Sequence, residues 1–114
     1  MLQKIPRVIR KQKIKENIMI HIIANNYVKA DKVEEYLKLA TGLVDDTRNK
    51  DAGCIRYELV QDLKNPQILT MLEEWESQED LNNHMNSEHF KEVMAATADF
   101  SEKAVEIHVC KKIK

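Results

Sequence analysis

The stretch from Glu73 to Val93, EEWESQEDLNNHMNSEHFKEV, holds the only tryptophan of the chain and two of its four histidines. Glu73 and Trp75 are two residues apart, so on a strand they project from one face. Leu81, His84 and Met85 recur at helical spacing, which sets an imidazole on the stripe of a core leucine. An imidazole, an indole and a carboxylate could therefore converge on one cleft. His84 is the best base, because an imidazole with an ordinary pKa of about 6.5 exchanges a proton near neutral pH. Glu73 could orient that ring or a substrate hydroxyl, and Trp75 could stack on a flat ring. Tyr57 could donate a phenolic hydrogen bond. Asn25 could hold a carbonyl oxygen. Each also has a plainer explanation: a structural histidine at a helix end, a salt bridge to lysine, core packing, an edge aromatic, and hydrogen bonding at a strand end.

The other histidines fit less well. His21 shares the strand face of Asn25 but lies roughly 13 Å from it by strand rise. His89 starts a helix, where capping and surface roles are common, and His108 sits on a strand where a subunit contact explains it better than chemistry. A metal site is not expected, because no two His, Cys, Asp or Glu have tight ligand spacing on one element, and His84 and His89 fall on different helices. Neither a glycine-rich phosphate loop nor a Ser/His/Asp arrangement is evident.

The elements that would position these residues can be read in order. Residues 18–28, IMIHIIANNYV, are β-branched and apolar and predict a first strand. Ala30-Asp31 opens a helix, with Asp31 and Glu34 in capping-box spacing, and Val33, Leu37, Ala40 and Val44 forming its apolar stripe. Gly42 interrupts that helix. Asp51-Ala52-Gly53 turns the chain into a second strand, Cys54–Gln61, and Asp62–Pro66 makes a hairpin loop to a third, Gln67–Glu76. Ser77 and Ser87 each cap a short helix, and Val105, Ile107 and Val109 alternate through a fourth strand. The order β-α-β-β-α-β predicts an α+β, ferredoxin-like sandwich with helices on one face of an antiparallel sheet. Both faces of the first strand are apolar, Ile18, Ile20, Ile22 and Ala24 alternating with Met19, His21, Ile23 and Asn25. A second copy covering the free face, a homodimer closing into an α/β barrel, would resolve this.

Composition narrows the partners. The 114 residues suit one domain, and a net charge of −1 gives no general attraction to nucleic acid or an acidic membrane surface. No apolar run approaches the ~20 residues that span a bilayer. Cys54 and Cys110 form no CxxC, which fits reduced thiols and a cytoplasmic location. Residues 1–18 carry six Lys or Arg and one acid without the apolar core of a signal peptide. Lys15-Glu16 back-translates to AARGAR, a purine run six nucleotides upstream of the Met19 codon. The expectation is a translated leader over 1–18 that is not part of the native fold, and a domain over 19–114.

With these motifs in place, the chain resembles the antibiotic biosynthesis monooxygenase superfamily over about residues 19–110. MIHIIANNYVKADKVEEY is similar to the opening strand and helix of that family, and GCIRYEL, from Gly53, to its second strand. Glu73-x-Trp75, followed by Ser77 and His84, is the most specific part, and His89-Phe90 resembles its next helix start. The resemblance implies a dimeric α+β barrel and a cofactor-independent monooxygenase for a small quinol-like or phenolic aromatic, working without metal or flavin. In such chemistry a base ionises an electron-rich substrate in a dry apolar pocket, and the anion passes an electron to dioxygen. His84 and Glu73 would be catalytic; Trp75, Tyr57 and Asn25 would bind substrate. The family also contains haem-degrading members. Asn25 matches a position they use, but their histidine position falls at Met94, and residue 84, a tryptophan there, is His here. A further alternative is a non-oxygenase ligand-binding protein or an enzyme of the autoinducer-2 type, whose second strand IRYELVQD also resembles. A phosphorylated substrate would want a cation at the cleft, and alternation puts Arg56 on the opposite strand face.

Overall fold

A computed structural model describes residues 18–114. The expectation of a leader over 1–18 therefore falls almost entirely outside the described residues. Four strands and three helices follow in the order β1 (Ile20–Val28), α1 (Val33–Lys50), β2 (Cys54–Gln61), β3 (Ile68–Trp75), α2 (Gln78–Met85), α3 (Glu88–Ala96) and β4 (Ser101–Cys110). The sheet order is β2-β3-β1-β4, antiparallel throughout, as the ferredoxin-like reading predicts.

Alternation sets which residues meet the helices. Ile22 lies opposite both Glu73 and Val109, Ala24 opposite Met71 and Ile107, and Tyr57 opposite Glu73. These residues share the helix-facing side. Ile22, Ala24 and Val28 pack there with Tyr57, Leu69, Met71 and Trp75 against Tyr36, Ala40, Leu43 and Val44 of α1. Coverage thins toward β4: α3 has no fully buried residue, and β4 shows Val105, Ile107 and Val109 to solvent, the last two 56% and 61% exposed.

The helix starts follow the sequence in two cases of three. Ser77 Oγ accepts from the Asp80 N–H at the start of α2, and Ser87 Oγ accepts from the Phe90 N–H at the start of α3. The capping box expected at Asp31 does not form. Ala30–Lys32 is a 3-10 turn, α1 begins at Val33, and no side chain caps either end-group. A tight turn satisfies early amides by shorter-range bonds, as in Lys32 N–H to Lys29 O at 2.9 Å.

The two glycines act differently. Gly53 has φ +78, and a Cβ there would fall 2.1 Å from Asp80 Oδ2. Its bare backbone lets the α1–β2 turn close against the start of α2, where Glu76 N–H bonds Gly53 O at 2.9 Å. Gly42 is exposed, and a Cβ there would meet nothing within 4 Å. Gly42→Ala should therefore raise unfolding stability in urea by about 0.5–1 kcal/mol. Gly53→Ala should lower it by more than that gain, because backbone strain and the Asp80 collision add.

Candidate active site

A cavity of about 250 Å³ opens between the helix-facing side of the sheet and the helices. Its walls are mostly aliphatic and aromatic: Ile22, Ala24 and Met71 from the sheet, Leu43 from α1, and Leu81, Phe90 and Met94 from α2 and α3. Val105, Ile107 and Val109 of β4 form the thinly covered side. Polar wall residues are few: Asn26, Tyr36, Tyr57, Glu73, Gln78 and His84. Among the described residues no lysine or arginine lines the cavity.

His84 is positioned by three elements at once. Its helical spacing from Leu81 turns it inward from α2, leaving the residue 1% exposed. Its ring lies 4.7 Å from the Trp75 ring, 5.1 Å from Tyr57 and 4.8 Å from Phe90, centroid to centroid. Nδ1 is 2.6 Å from Asp51 Oδ2. Nε2 is buried and has no hydrogen-bond partner among the described residues. Asp51 arrives because α1 ends there: its N–H bonds Thr47 O at 3.0 Å, its backbone turns extended, and Gly53 reverses the chain.

These contacts define the state of the ring. Burial pushes the imidazolium below its usual range, and the Asp51 carboxyl only partly offsets this. A neutral imidazole carries one N–H, and a carboxyl oxygen at 2.6 Å holds it on Nδ1. The lone pair then sits on Nε2, the nitrogen without a partner.

His89 completes the cluster. Its Nε2 is 2.8 Å from Asp51 Oδ1 but off hydrogen-bond alignment, so this buried nitrogen also lacks a hydrogen-bond partner among the described residues. Donor atoms of Asp51, His84 and His89 lie within 4.8 Å of one another. Spacing along single elements counted against such a cluster; the fold assembles it from a turn and two helices. Asp51 was missed for the same reason, being 33 residues from His84. Its one sequence signal is the Asp-x-Gly turn that ends α1.

The structure brings Glu73, Trp75, Tyr57 and His84 together and leaves Asn25 out. Glu73 does not orient the imidazole; its Oε1 accepts the Trp75 indole N–H at 2.9 Å. Burial raises its carboxyl to about 7, with the indole bond opposing. Tyr57 lines the cavity, and burial drives its phenol far above the ordinary range, so the hydroxyl keeps its proton. Trp75 is fully buried and forms no part of the cavity wall, which removes it as a stacking surface for a ligand. Asn25 has the other parity on β1 and points to the free sheet face. There it accepts from Thr70 Oγ1 at 2.7 Å and donates to Glu106 Oε1 at 3.2 Å. Asn26, in step with Ile22 and Ala24, is the asparagine that reaches the cavity. His21 and His108 lie on the same free face as Asn25, as does Arg56, which pairs with Glu58 and Glu74.

The comparisons with known proteins agree with this fold. The sequence model of one family, antibiotic biosynthesis monooxygenase, matches residues 19–96. A conserved protein of Methanosarcina mazei is 39% identical, its solved structure covering 88% of this chain and 98% of its own at a TM-score of 0.79. PA3566 of Pseudomonas aeruginosa is 25% identical, with 85% and 96% covered and a TM-score of 0.78. Protein sll1783 of Synechocystis is 28% identical over 92 residues, 81% of this chain; the match spans only 62% of that relative. No helix among the described residues is long and apolar enough to cross a membrane.

The Glu73 carboxyl makes a testable link between burial and stability. Its pKa is about 7 in the fold against an ordinary 4.5. Between those values the native state keeps a proton that the unfolded chain has lost. Stability must then fall as pH rises through this window and level off above it. At 1.36 kcal/mol per unit the loss is on the order of 3 kcal/mol. Glu73→Gln keeps an acceptor for the indole and cannot ionise. Urea unfolding at pH 5 and pH 8 should show a smaller decline for Glu73→Gln than for the parent protein, with the variant gaining at pH 8.

Proposed function

The chain belongs to the antibiotic biosynthesis monooxygenase family, and from that premise we propose that it is a cofactor-independent monooxygenase acting on a small quinol-like or phenolic aromatic. The observation that carries this reading is the unpartnered Nε2 of His84 in an apolar wall, with Asp51 holding the proton on the opposite nitrogen. A flat aromatic fits a cavity of about 250 Å³ with these walls.

His84 takes the proton of a substrate hydroxyl through Nε2, and the aryloxide so formed is electron-rich. It passes one electron to dioxygen, and the two radicals combine at ring carbon. Loss of the carbon-bound hydrogen and cleavage of the O–O bond complete the reaction, with the imidazolium returning its proton to the departing oxygen. A quinol and dioxygen thus become a hydroxyquinone and water, one oxygen atom going to each. Apolar walls keep bulk water from protonating the anion. Glu73, with a carboxyl near 7, and Tyr57 orient the second oxygen of the substrate. The autoinducer-2 alternative has less support, because among the described residues no cationic side chain lines the cavity to receive a phosphate.

On the same reading the working unit is a homodimer. Ile23, Val60, Ile107 and Val109 are large apolar side chains left exposed on the sheet of a single chain, from both its faces. Stable obligate dimers bury about 2,000 Å² or more. Sedimentation at micromolar concentration should give twice the chain mass; a monomer there would remove this part of the proposal.

The base is tested by His84→Ala. Turnover of a quinol should fall by about 10²–10⁴-fold, the usual contribution of a positioned acid–base group. Circular dichroism and sedimentation should stay those of the parent. Activity of the parent should persist after dialysis against EDTA. Full activity in His84→Ala, or loss on chelation, would overturn the mechanism.

A further inference from the structure

We infer that Asp51, His84 and His89 form a binding site for a transition-metal dication of the zinc, nickel and copper class. Two imidazole nitrogens and a carboxylate oxygen are the donors such ions take, three protein ligands leaving a fourth position for water. The three groups come from the α1–β2 turn, α2 and α3, and their donor atoms already lie within 4.8 Å of one another. They are well shielded: the side chains of Asp51, His84 and His89 are 9%, 1% and 13% exposed.

The position of His89 is what hydrogen bonding does not explain. Its Nε2 sits 2.8 Å from Asp51 Oδ1, yet it misses hydrogen-bond alignment and is buried without a hydrogen-bond partner among the described residues. Neighbouring ligands of a tetrahedral dication stand about 3.3 Å apart, given metal–ligand bonds near 2.0–2.2 Å. The two nitrogen–oxygen contacts, at 2.6 and 2.8 Å, are made to different oxygens of the carboxylate and would open by less than an ångström, while the widest donor pair, up to 4.8 Å apart, would close by about 1.5 Å. His84 would ligate through Nδ1 and His89 through Nε2, each ring neutral.

Proton placement fixes the consequence. With no metal, His84 keeps its proton on Nδ1 and its lone pair on Nε2. A metal on Nδ1 needs the lone pair of that nitrogen, so the ring proton moves to Nε2, and no proton is lost overall. Nε2 then donates and cannot accept. Metal binding and base catalysis at His84 are therefore mutually exclusive, and a bound ion would switch the site off. Binding follows from the donor set alone; only the inhibition rests on the proposed oxygenase reaction.

Two measurements on the full-length protein test the site without any substrate. Calorimetric titration with Zn²⁺ should give one ion per chain. The affinity should drop at least tenfold in His89→Gln and stay within twofold in His21→Gln, which alters the other histidine with an unpartnered buried nitrogen. Titration of the parent with Cu²⁺ should quench the single tryptophan with the same stoichiometry, since Trp75 lies 4.7 Å from the His84 ring. The quenching needs no variant, so misfolding of His89→Gln would not spare the proposal. No zinc binding, unaltered affinity in His89→Gln, or zinc binding without saturable copper quenching would each overturn it. Where quinol turnover is measurable, one equivalent of Zn²⁺ should suppress it and EDTA restore it. Binding without suppression would count against the oxygenase mechanism and leave the metal site standing.

Discussion

The 2.6 Å contact between Asp51 and the His84 ring is the interaction on which the candidate site depends. A histidine buried this deeply has two polar nitrogens to satisfy, and an apolar environment penalises both an unpaired one and a charged ring. Asp51 answers for one nitrogen. Burial keeps the ring neutral, against the pull of the carboxyl. The outcome is a ring with a defined tautomer and its lone pair on the nitrogen that has no hydrogen-bond partner among the described residues. Neither force alone gives that: burial without Asp51 leaves the tautomer open, and Asp51 without burial favours the cation.

That contact in turn needs a particular backbone. Asp51 must leave α1 at its last turn, and the chain must reverse within two residues to begin β2. Gly53 supplies a positive φ and the absence of a Cβ where Asp80 passes. Asp80 belongs to the first turn of α2, whose start is fixed by Ser77, and His84 is one turn further on. A single glycine thus ties the turn bearing the carboxyl to the helix bearing the imidazole. Beneath them, the indole of Trp75 packs against the ring and donates to Glu73. One neutral donor does not repay the desolvation of a carboxylate, so Glu73 titrates near neutrality.

Much of this was legible in the sequence. Strand alternation and helix spacing gave the element order, the two serine caps, the shared face of Glu73 and Trp75 and the inward stripe of His84, because these depend on neighbours within one element. What was not legible depends on pairing between elements. Asn25 and Asn26 are adjacent, and only the β1 register against Met71 and Ile107 decides which shares the cavity face. Trp75 has the right parity to face a ligand, but the packing of His84 over it seals it off. Asp51 reads as an ordinary turn residue until α2 is laid across it. Asp31 had capping spacing, yet the chain takes a 3-10 turn first and leaves the motif out of register.

The weakly covered edge of the sheet bears on the chemistry as well as on assembly. Val105, Ile107 and Val109 line the cavity, and in a single chain they are also open to water. In the reaction proposed above, an aryloxide that must react with dioxygen before it is reprotonated needs that side closed. The same closure would be worth a share of the roughly 1.5–3 kcal/mol that burying each large aliphatic side chain contributes. Apolar burial and exclusion of water therefore favour the same event, the covering of β4. A second copy is the partner the proposal assigns to that surface. On those terms assembly and catalysis are not separate properties of the fold, since the contact that stabilises the oligomer also finishes the wall of the site.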